Sequence, residues 1–289
     1  MHAIQYEAPT SLEQAIGMLA EYGEKARPLC GGTDILIQLR AGTRQPAYVV
    51  DVKHIPELTG IAFDAKSGLR LGAAVPCIEI FENQTMRRHY PGLVEAAHLI
   101  GSLQIQSRAS VGGNLCNGSP AADTTPALIA LGATARLVGP KGERQVKVEE
   151  FVVSPGRTVI QPGELLVELL VPAPAKHSAD AYLRFIPRNE MDIAVVGVGS
   201  AITLEGDKCT AARIALGAVA ATPLFAAKAS QALIGKKFEA ATIENAAKLA
   251  MELASPIDDM RGTAEFRKHL VGVLTRRTLA RAAERARHN

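Results

Sequence analysis

Residues 109–123 constrain this chain more than any other stretch. They read Ala-Ser-Val-Gly-Gly-Asn-Leu-Cys-Asn-Gly-Ser-Pro-Ala-Ala-Asp and include three glycines, two asparagines, two serines and one proline. The segment is too polar for a core, and its glycines allow positive φ and let a ligand come close to the backbone. Successive exposed N–H groups in such a turn form a concavity that binds anions. A tight surface turn between two strands is the commoner explanation of a lone Gly-Gly pair.

A second glycine segment, residues 30–34, reads Cys-Gly-Gly-Thr-Asp and stands between a short apolar stretch and apolar residues from Ile35 onward. This order predicts a strand, a glycine turn and the start of a helix. The N–H groups and the dipole at such a helix start favour an anion. Thr33 or Asp34 could cap the helix, and a cap alone explains Asp34 as well as a ligand contact does. Together the two segments could hold the phosphates of one dinucleotide.

Composition excludes several classes of function. The length of 289 residues predicts two domains, or three small ones. The net charge is +3, the two signs are interspersed and tryptophan is absent, so we predict no nucleic-acid partner. No apolar run is long enough for a membrane span, and the first residues lack the pattern of a secretory signal. We therefore expect a cytoplasmic protein.

The residues that usually carry hydrolytic or metal chemistry are scattered. The four cysteines, at positions 30, 77, 116 and 209, form no C-x-x-C pair, and the seven histidines stand singly. This argues against a zinc site or an iron–sulfur cluster in this chain. Neither a G-x-S-x-G elbow nor a P-loop occurs, so the chemistry would come from a bound cofactor.

The order of predicted elements changes along the chain. Up to the proline-rich linker 172–174, helices and strands alternate. They include a helix started by a capping box at Thr10–Glu13 and ended by Gly23, and another at 126–131. Beyond the linker we predict three antiparallel strands at 181–187, 193–203 and 211–220. Gly197-Val198-Gly199 falls within a strand and lacks the third glycine of a dinucleotide fingerprint. Three helices follow, starting at Thr222-Pro223, Thr242 and Thr263.

Taken together, these segments resemble the FAD-binding subunit of the molybdenum hydroxylases. This family includes the medium subunit of carbon monoxide dehydrogenase and the FAD subunit of xanthine dehydrogenase. The resemblance covers essentially the whole chain, in the expected order. It is carried by Cys30–Asp34, Ala109–Asn114, Ser119–Asp123, Arg184–Ala194, Arg213–Val219, Asp259–Gly262 and Arg276-Arg277.

The resemblance implies an α+β fold in three parts. Residues 1–57 and 58–172 would be the two lobes of an FAD-binding domain of the vanillyl-alcohol oxidase (PCMH) type. Residues 173–289 would be the C-terminal CO dehydrogenase flavoprotein-like domain, a three-stranded antiparallel sheet with a three-helix bundle.

The resemblance also implies an FAD site. Backbone N–H groups of 30–34 and 110–114 would bind the pyrophosphate, Asn114, Asn117 and Asp123 would reach ribityl or flavin atoms, and Leu166 would pack near the isoalloxazine. The implied cofactor-binding residues are Leu29, Cys30, Gly31, Gly32, Thr33, Asp34, Ser110, Val111, Gly112, Gly113, Asn114, Asn117, Ser119, Asp123, Leu166 and Arg184.

Arg184 is a departure, because many relatives carry lysine beside the flavin there and the planar guanidinium is not equivalent to an ammonium. A salt bridge from Arg184 to Glu190 or Asp192 is an equally good interpretation. The chain also lacks the clustered cysteines of the 4-hydroxybenzoyl-CoA reductase branch, which carries an extra cluster-binding loop.

The function implied is electron transfer. A large partner subunit would hold the molybdenum cofactor and a small one the two-iron clusters, with a dimer of heterotrimers as the expected assembly. Electrons would pass through this chain's FAD to an acceptor such as NAD or a quinone, and the substrate would be set in another subunit. Two alternatives remain open: a stand-alone FAD-dependent oxidase or reductase of the same fold, and a non-catalytic binding protein whose glycine segments are mere turns.

Overall fold

The chain begins with a small parallel sheet. The structure, a computed structural model, describes residues 3–289. The first elements are β1 (Gln5–Glu7), α1 (Leu12–Tyr22), β2 (Ala26–Leu29), α2 (Ile35–Ala41), β3 (Tyr48–Asp51) and α3 (Pro56–Thr59). β3 lies between β1 and β2 and runs parallel to both. The carboxyl ends of these strands therefore meet at one edge, where the first glycine segment follows β2.

The capping box of α1 starts one residue later than predicted. Ser11 Oγ accepts a hydrogen bond from the Gln14 N–H at 3.3 Å, and the Gln14 side chain accepts one from the Thr10 N–H at 3.2 Å. Because Leu12 is the first helical residue, Gln14 rather than Glu13 occupies the third helical position. Gly23 ends the helix at a φ of 53°, as predicted.

A five-stranded antiparallel sheet with six helices follows. Its elements are β4 (Ile61–Asp64), β5 (Gly68–Gly72), α4 (Cys77–Glu82), α5 (Gln84–His89), α6 (Pro91–His98), α7 (Leu103–Gln106), α8 (Val111–Cys116), α9 (Thr124–Ala130), β6 (Thr134–Gly139), β7 (Gly142–Lys147), β8 (Val152–Ser154), β9 (Arg157–Thr158) and β10 (Leu165–Val171). The strand order is β4-β5-β10-β6-β7, and β8 pairs with β9 in a separate hairpin. The register of β10 against β6 shifts between Leu166 and Glu168.

The last part is a second antiparallel sheet covered by helices. It comprises β11 (Ser178–Phe185), β12 (Val196–Glu205), β13 (Lys208–Gly217), β14 (Leu224–Phe225), α10 (Ala227–Leu233), α11 (Ala240–Leu253) and α12 (Ala264–His288). The three predicted strands are present, and β14 adds a fourth where a helix start at Thr222-Pro223 was predicted. Phe225 pairs with Ala215, which keeps this segment extended. Arg213 Cζ lies 4.1 Å from the centroid of the Phe225 ring.

Glycines in the second antiparallel sheet let α9 pack directly on it. A Cβ at Gly199 would lie 2.6 Å from the Pro126 carbonyl oxygen, and one at Gly217 would lie 2.7 Å from Pro126 Cγ. At Gly197 a Cβ would lie 2.5 Å from the Tyr182 hydroxyl. We call these three residues the strand glycines. Their role in packing confirms that Gly197-Val198-Gly199 belongs to a strand.

Three hydrophobic clusters form the core. The cluster under the parallel sheet includes Leu165 and Val167 of β10, so the first two sheets share buried surface. The domain boundaries at 57/58 and 172/173 stay predictions. Among residues 3–289, no helix combines the length and apolarity that a membrane crossing requires, and no three His, Cys, Asp or Glu residues are grouped so that they could hold a metal ion.

Candidate functional site

The two glycine segments meet in the fold. Gly31 lies so close to the other segment that a Cβ there would be 1.9 Å from the Arg108 carbonyl oxygen. Only glycine permits this approach of two backbones. A Cβ on Gly113 would lie 3.9 Å from Cys30 Cβ. We refer to residues 30–34 and 110–114 as the two glycine loops.

Several backbone donors of the first glycine loop are open. Within residues 3–289, the N–H groups of Cys30 through Asp34 make no hydrogen bond. Gly32 has a φ of 81°, which turns the chain into α2. Asp34 occupies the N-cap position of α2, as predicted, but neither Thr33 nor Asp34 makes a side-chain capping bond to the helix in this part of the chain. Backbone donors are rarely left unsatisfied when partly buried, and an anion would satisfy these.

The second glycine loop is largely helical. α8 begins inside it, and Ser110 caps the helix, since Ser110 Oγ accepts a hydrogen bond from the Gly113 N–H at 3.1 Å. A Cβ on Gly112 would lie 2.4 Å from the Ala73 carbonyl oxygen, so Gly112 serves packing. A Cβ on Gly113 would meet only Ser110 Oγ, at 3.0 Å, and Cys30. Apart from its own capping residue, Gly113 therefore has no other segment packed closely against it on the side of the first loop.

Two cations accompany the glycine loops. Lys53 Nζ lies 2.6 Å from Asp51 Oδ1, and the Tyr6 hydroxyl donates to Asp51 Oδ2 at 2.6 Å. Burial alone would raise the pKa of Asp51, but the hydrogen bonds from Lys53 and Tyr6 outweigh it and lower that pKa. The positive charge of Arg108 counteracts the rise of the Tyr6 pKa that the Asp51 hydrogen bond causes. Cys30 stays a neutral thiol, because burial raises its pKa to about 11.

Asp123, Tyr182 and Arg184 form a buried cluster at the start of α9. The Tyr182 hydroxyl donates to Asp123 Oδ1 at 2.8 Å, and Arg184 Nη1 donates to Oδ2 at 2.6 Å. Burial raises the pKa of Asp123 to about 6, although Arg184 and Tyr182 oppose the shift. Arg184 Nε is buried without a hydrogen-bond partner in residues 3–289. One donor thus remains for a further group.

The alternative salt bridge of Arg184 to Glu190 or Asp192 is wrong. Asp192 instead accepts from Arg188 at 3.3 Å. Arg184 and Tyr182 are two residues apart on β11 and project to the same face, so both reach Asp123.

Three of the other expected site residues, Asn114, Asn117 and Ser119, bond to protein groups, and the fourth, Leu166, lies in the core. Asn114 Oδ1 accepts from Thr124 Oγ1 at 2.7 Å, and Asn117 Oδ1 accepts from Gln38 Nε2 at 3.1 Å, which ties the end of α8 to α2. Ser119 Oγ accepts from the Ala121 N–H at 3.2 Å. Leu166 is only 3% exposed and belongs to the core of the five-stranded sheet, next to the register shift in β10.

Comparison with protein families covers almost the whole chain. Residues 2–174 match the family described as "FAD binding domain in molybdopterin dehydrogenase". Residues 181–282 match the "CO dehydrogenase flavoprotein C-terminal domain". The chain belongs to the FAD-binding family of the molybdopterin dehydrogenases.

Individual relatives agree with this assignment. The chain is 32% identical to the carbon monoxide dehydrogenase medium chain of Afipia carboxidovorans, with 99% of each chain covered. It is 30% identical to the putative xanthine dehydrogenase FAD-binding subunit of Escherichia coli K12, with 97% of this chain and 96% of the other covered. A crystal structure of Cu,Mo-CO dehydrogenase contains a chain that superposes with a TM-score of 0.94 at 32% identity, covering 98% of this chain and 99% of that one.

Membership of the molybdopterin dehydrogenase FAD-binding family confirms the function predicted from the sequence. The chain is the FAD subunit of a multi-subunit oxidoreductase of the molybdenum hydroxylase type. The predicted α+β fold class is confirmed as well. The assignment of individual residues to FAD binding stays a prediction.

Sequence reasoning missed four side chains that this geometry brings to the FAD-family site. Lys53 and Arg108 lie at the glycine loops, Gln38 holds Asn117, and Tyr182 holds Asp123. Tyr182 could have been found, because it stands two residues before Arg184 on a predicted strand. Gln38, Lys53 and Arg108 carry no local signal, since only the packing of distant segments gives them their neighbours.

Proposed function

We propose that the two glycine loops hold the pyrophosphate of FAD, that Asn114, Asn117, Ser119, Asp123 and Arg184 line the rest of the cofactor, and that Leu166 packs near the isoalloxazine. The single observation that carries this proposal is the seating of Gly31 against the Arg108 carbonyl group, at a distance no side chain would allow. That contact brings the open N–H groups of residues 30–34 next to the start of α8, where the Gly113 and Asn114 N–H groups are already bonded to Ser110. One diphosphate spanning both loops explains why the chain has two such segments.

The residues present fit such a group on three counts. The N–H groups of residues 30–34 have no partner within residues 3–289, and no other segment packs closely against Gly113 on that side. Arg108 adds a positive charge beside the first glycine loop, whereas the charge of Lys53 is paired with Asp51. Arg184 Nε is a buried donor without a partner in the same part of the chain, next to the segment that the family resemblance assigns to the flavin end.

Bound FAD would supply the redox chemistry, accepting electrons and passing them to an external acceptor. The chain's own residues bind and orient. Tyr182 and Arg184 hold the Asp123 carboxylate from both sides, which fixes the polar end of the site. Arg184 keeps a positive charge in a buried place, where it would favour an anionic form of whatever group lies beside it.

We propose further that this chain assembles with a molybdenum-cofactor large subunit and an iron–sulfur small subunit as a dimer of heterotrimers, with NAD or a quinone as acceptor. The names of the relatives as medium chains and subunits support an assembly of several chains. A cytoplasmic location is supported by four cysteines that all occur as free thiols among the described residues. The boundaries 57/58 and 172/173 are proposed as the divisions of the chain.

The loop proposal is tested with Gly113→Asp. The new carboxylate would stand beside the proposed phosphate site, and two like charges about 4 Å apart at an effective dielectric constant near 20 repel each other by about 4 kcal/mol. We expect the FAD dissociation constant to rise about a thousandfold. Gly17→Asp is the matched control, because Gly17 also lies in a helix and a Cβ there meets nothing within 4 Å. Full FAD occupancy in Gly113→Asp would disprove the loop assignment.

The stand-alone alternative is tested by isolating the protein from its native source. We expect a molybdenum-containing chain and an iron–sulfur chain to co-purify with it. A chain that comes alone and oxidises an organic substrate alone would favour the stand-alone oxidase or reductase instead.

A further inference from the structure

A cavity that shares no residue with the glycine loops is lined by four arginines and two histidines. It lies between α5 and the end of α12 and has a volume of about 690 Å³. Its basic side chains are Arg87, Arg88, His89, Arg281, Arg285 and His288. We call it the basic cavity. It joins a helix of the FAD-binding part of the chain to the last helix of the C-terminal part.

Acidic groups do not balance this charge. Glu284 is the one acidic side chain among the residues that line the cavity. Glu95 lies behind the wall and is already shared, because it pairs with Arg281 at 3.1 Å and also with Arg285. Arg285 Nη1 further donates to the Asp180 carbonyl oxygen at 2.8 Å, which fixes its guanidinium in place.

The wall formed by α5 carries arginine side chains with few hydrogen-bond or ion-pair partners. The Arg88 side chain makes no hydrogen bond or ion pair within residues 3–289, and the one side-chain hydrogen bond of Arg87 in this range goes from Nε to the Phe81 carbonyl oxygen. His89 stacks on Phe63 with ring centroids 4.5 Å apart. Burial, and then the charge of Arg88, lower the pKa of His89, so this ring is a neutral hydrogen-bonding group near neutral pH. Two walls of guanidinium groups thus face one space.

We propose that the basic cavity binds a di- or triphosphate, either free or as part of a nucleotide. Guanidinium groups match phosphate oxygens in paired hydrogen bonds, and separate arginines on two walls suit a ligand with two or more phosphoryl groups. The volume is within the range of small-ligand pockets. Pro91, Ser178, Ala179 and Asn289 complete the lining, and the first three are small enough to leave space for a compact ligand. Such a ligand would bridge the two parts of the chain, and its site is independent of the FAD site.

The test is calorimetric titration of inorganic pyrophosphate into the protein as isolated, with saturating FAD added so that the glycine loops are filled. Arg88→Glu should weaken pyrophosphate binding roughly tenfold or more, because it turns an attraction into a repulsion. Arg88→Lys should restore most of it. Arg277→Glu is the matched control, since Arg277 is exposed on α12, makes the same charge change and does not line the cavity.

A second titration with ADP distinguishes the source of the phosphates. Equal affinities for pyrophosphate and ADP would mean that the phosphoryl groups alone are recognised, and tighter binding of ADP would identify a nucleotide. The proposal is overturned if pyrophosphate does not bind, or if Arg88→Glu and Arg277→Glu weaken it equally. It is overturned as well if Gly113→Asp removes the binding while Arg88→Glu leaves it intact, because the anion would then lie at the glycine loops.

Discussion

The two glycine loops and the strand glycines use the same residue for opposite purposes. At the strand glycines the missing Cβ is replaced by protein, since Pro126 and the Tyr182 hydroxyl fill the space. At Gly113 a Cβ would meet the capping hydroxyl of Ser110 at 3.0 Å but no other segment closer than Cys30 at 3.9 Å, and the N–H groups of residues 30–34 have no partner within residues 3–289. Adjacent residues can even divide these roles, because Gly112 packs on Ala73 whereas Gly113 does not pack on another segment's backbone.

This difference teaches that glycine spacing alone does not identify a ligand site. The deciding property is whether the backbone donors next to the glycine are already used. Every backbone N–H within a central strand pairs with its neighbours, whereas a turn that leads into a helix start leaves several free. Substitutions on each side should therefore separate folding from FAD binding.

Asp123→Ala should have the largest effect on stability, because Asp123 joins the segment after the second glycine loop to Tyr182 and Arg184 of β11. Its removal leaves the Arg184 guanidinium buried without its carboxylate, and breaking a buried pair in this way costs about 4 kcal/mol. Chemical denaturation measures the loss. Glu244→Ala is the control, because Glu244 pairs with Arg276 at a solvent-exposed place and should cost much less. An unchanged unfolding midpoint for Asp123→Ala would show that the cluster is not structural.

Gly199→Ala should destabilise the protein by about 2 kcal/mol, because its Cβ forces α9 away from β12. The FAD affinity of the folded protein should stay unchanged, the opposite of Gly113→Asp. Gly17→Ala serves as the control for the substitution itself, since its Cβ meets nothing within 4 Å. Loss of FAD without loss of stability in Gly199→Ala would break the distinction between the two regions.

The stability of the protein should also depend on pH through Asp180, which joins β11 to α6. Burial raises the pKa of Asp180 to about 7, and its Oδ2 accepts a hydrogen bond from the Leu93 N–H at 3.1 Å. A carboxyl whose pKa is higher in the folded state than in the unfolded state binds its proton more tightly when folded, so its stabilising contribution is lost as pH rises. Between about pH 6 and pH 8, the wild type should lose about 1 kcal/mol relative to Asp180→Asn. Denaturation of both proteins across this range measures the difference, and parallel pH profiles would contradict it.

Much of the fold was predictable because its signals are local. Gly23, the Thr263 cap and the three long C-terminal strands follow from short patterns. α8 was not predictable, since a six-residue segment with two glycines has poor helix propensity and forms because Ser110 caps it and Ala73 packs against it. β14 was missed because a strand of two residues carries no periodic pattern and is defined by its pairing with β13.

The candidate site was predictable only in part for the same reason. The glycine loops carry their own signal, and the family resemblance joined them. The predicted partner of Arg184 was wrong because it was chosen among carboxylates nearby in the sequence, whereas the actual partner, Asp123, lies 61 residues away. Lys53 and Arg108 acquire a role only when the loops are folded together.

The most direct test of the FAD assignment is an experimental structure of the protein with its flavin bound. The pyrophosphate oxygens should lie within hydrogen-bond distance of backbone N–H groups from both glycine loops, with Gly113 facing the phosphates and Arg184 near the flavin end. A pyrophosphate placed elsewhere, with the N–H groups of residues 30–34 turned toward solvent, would contradict the account.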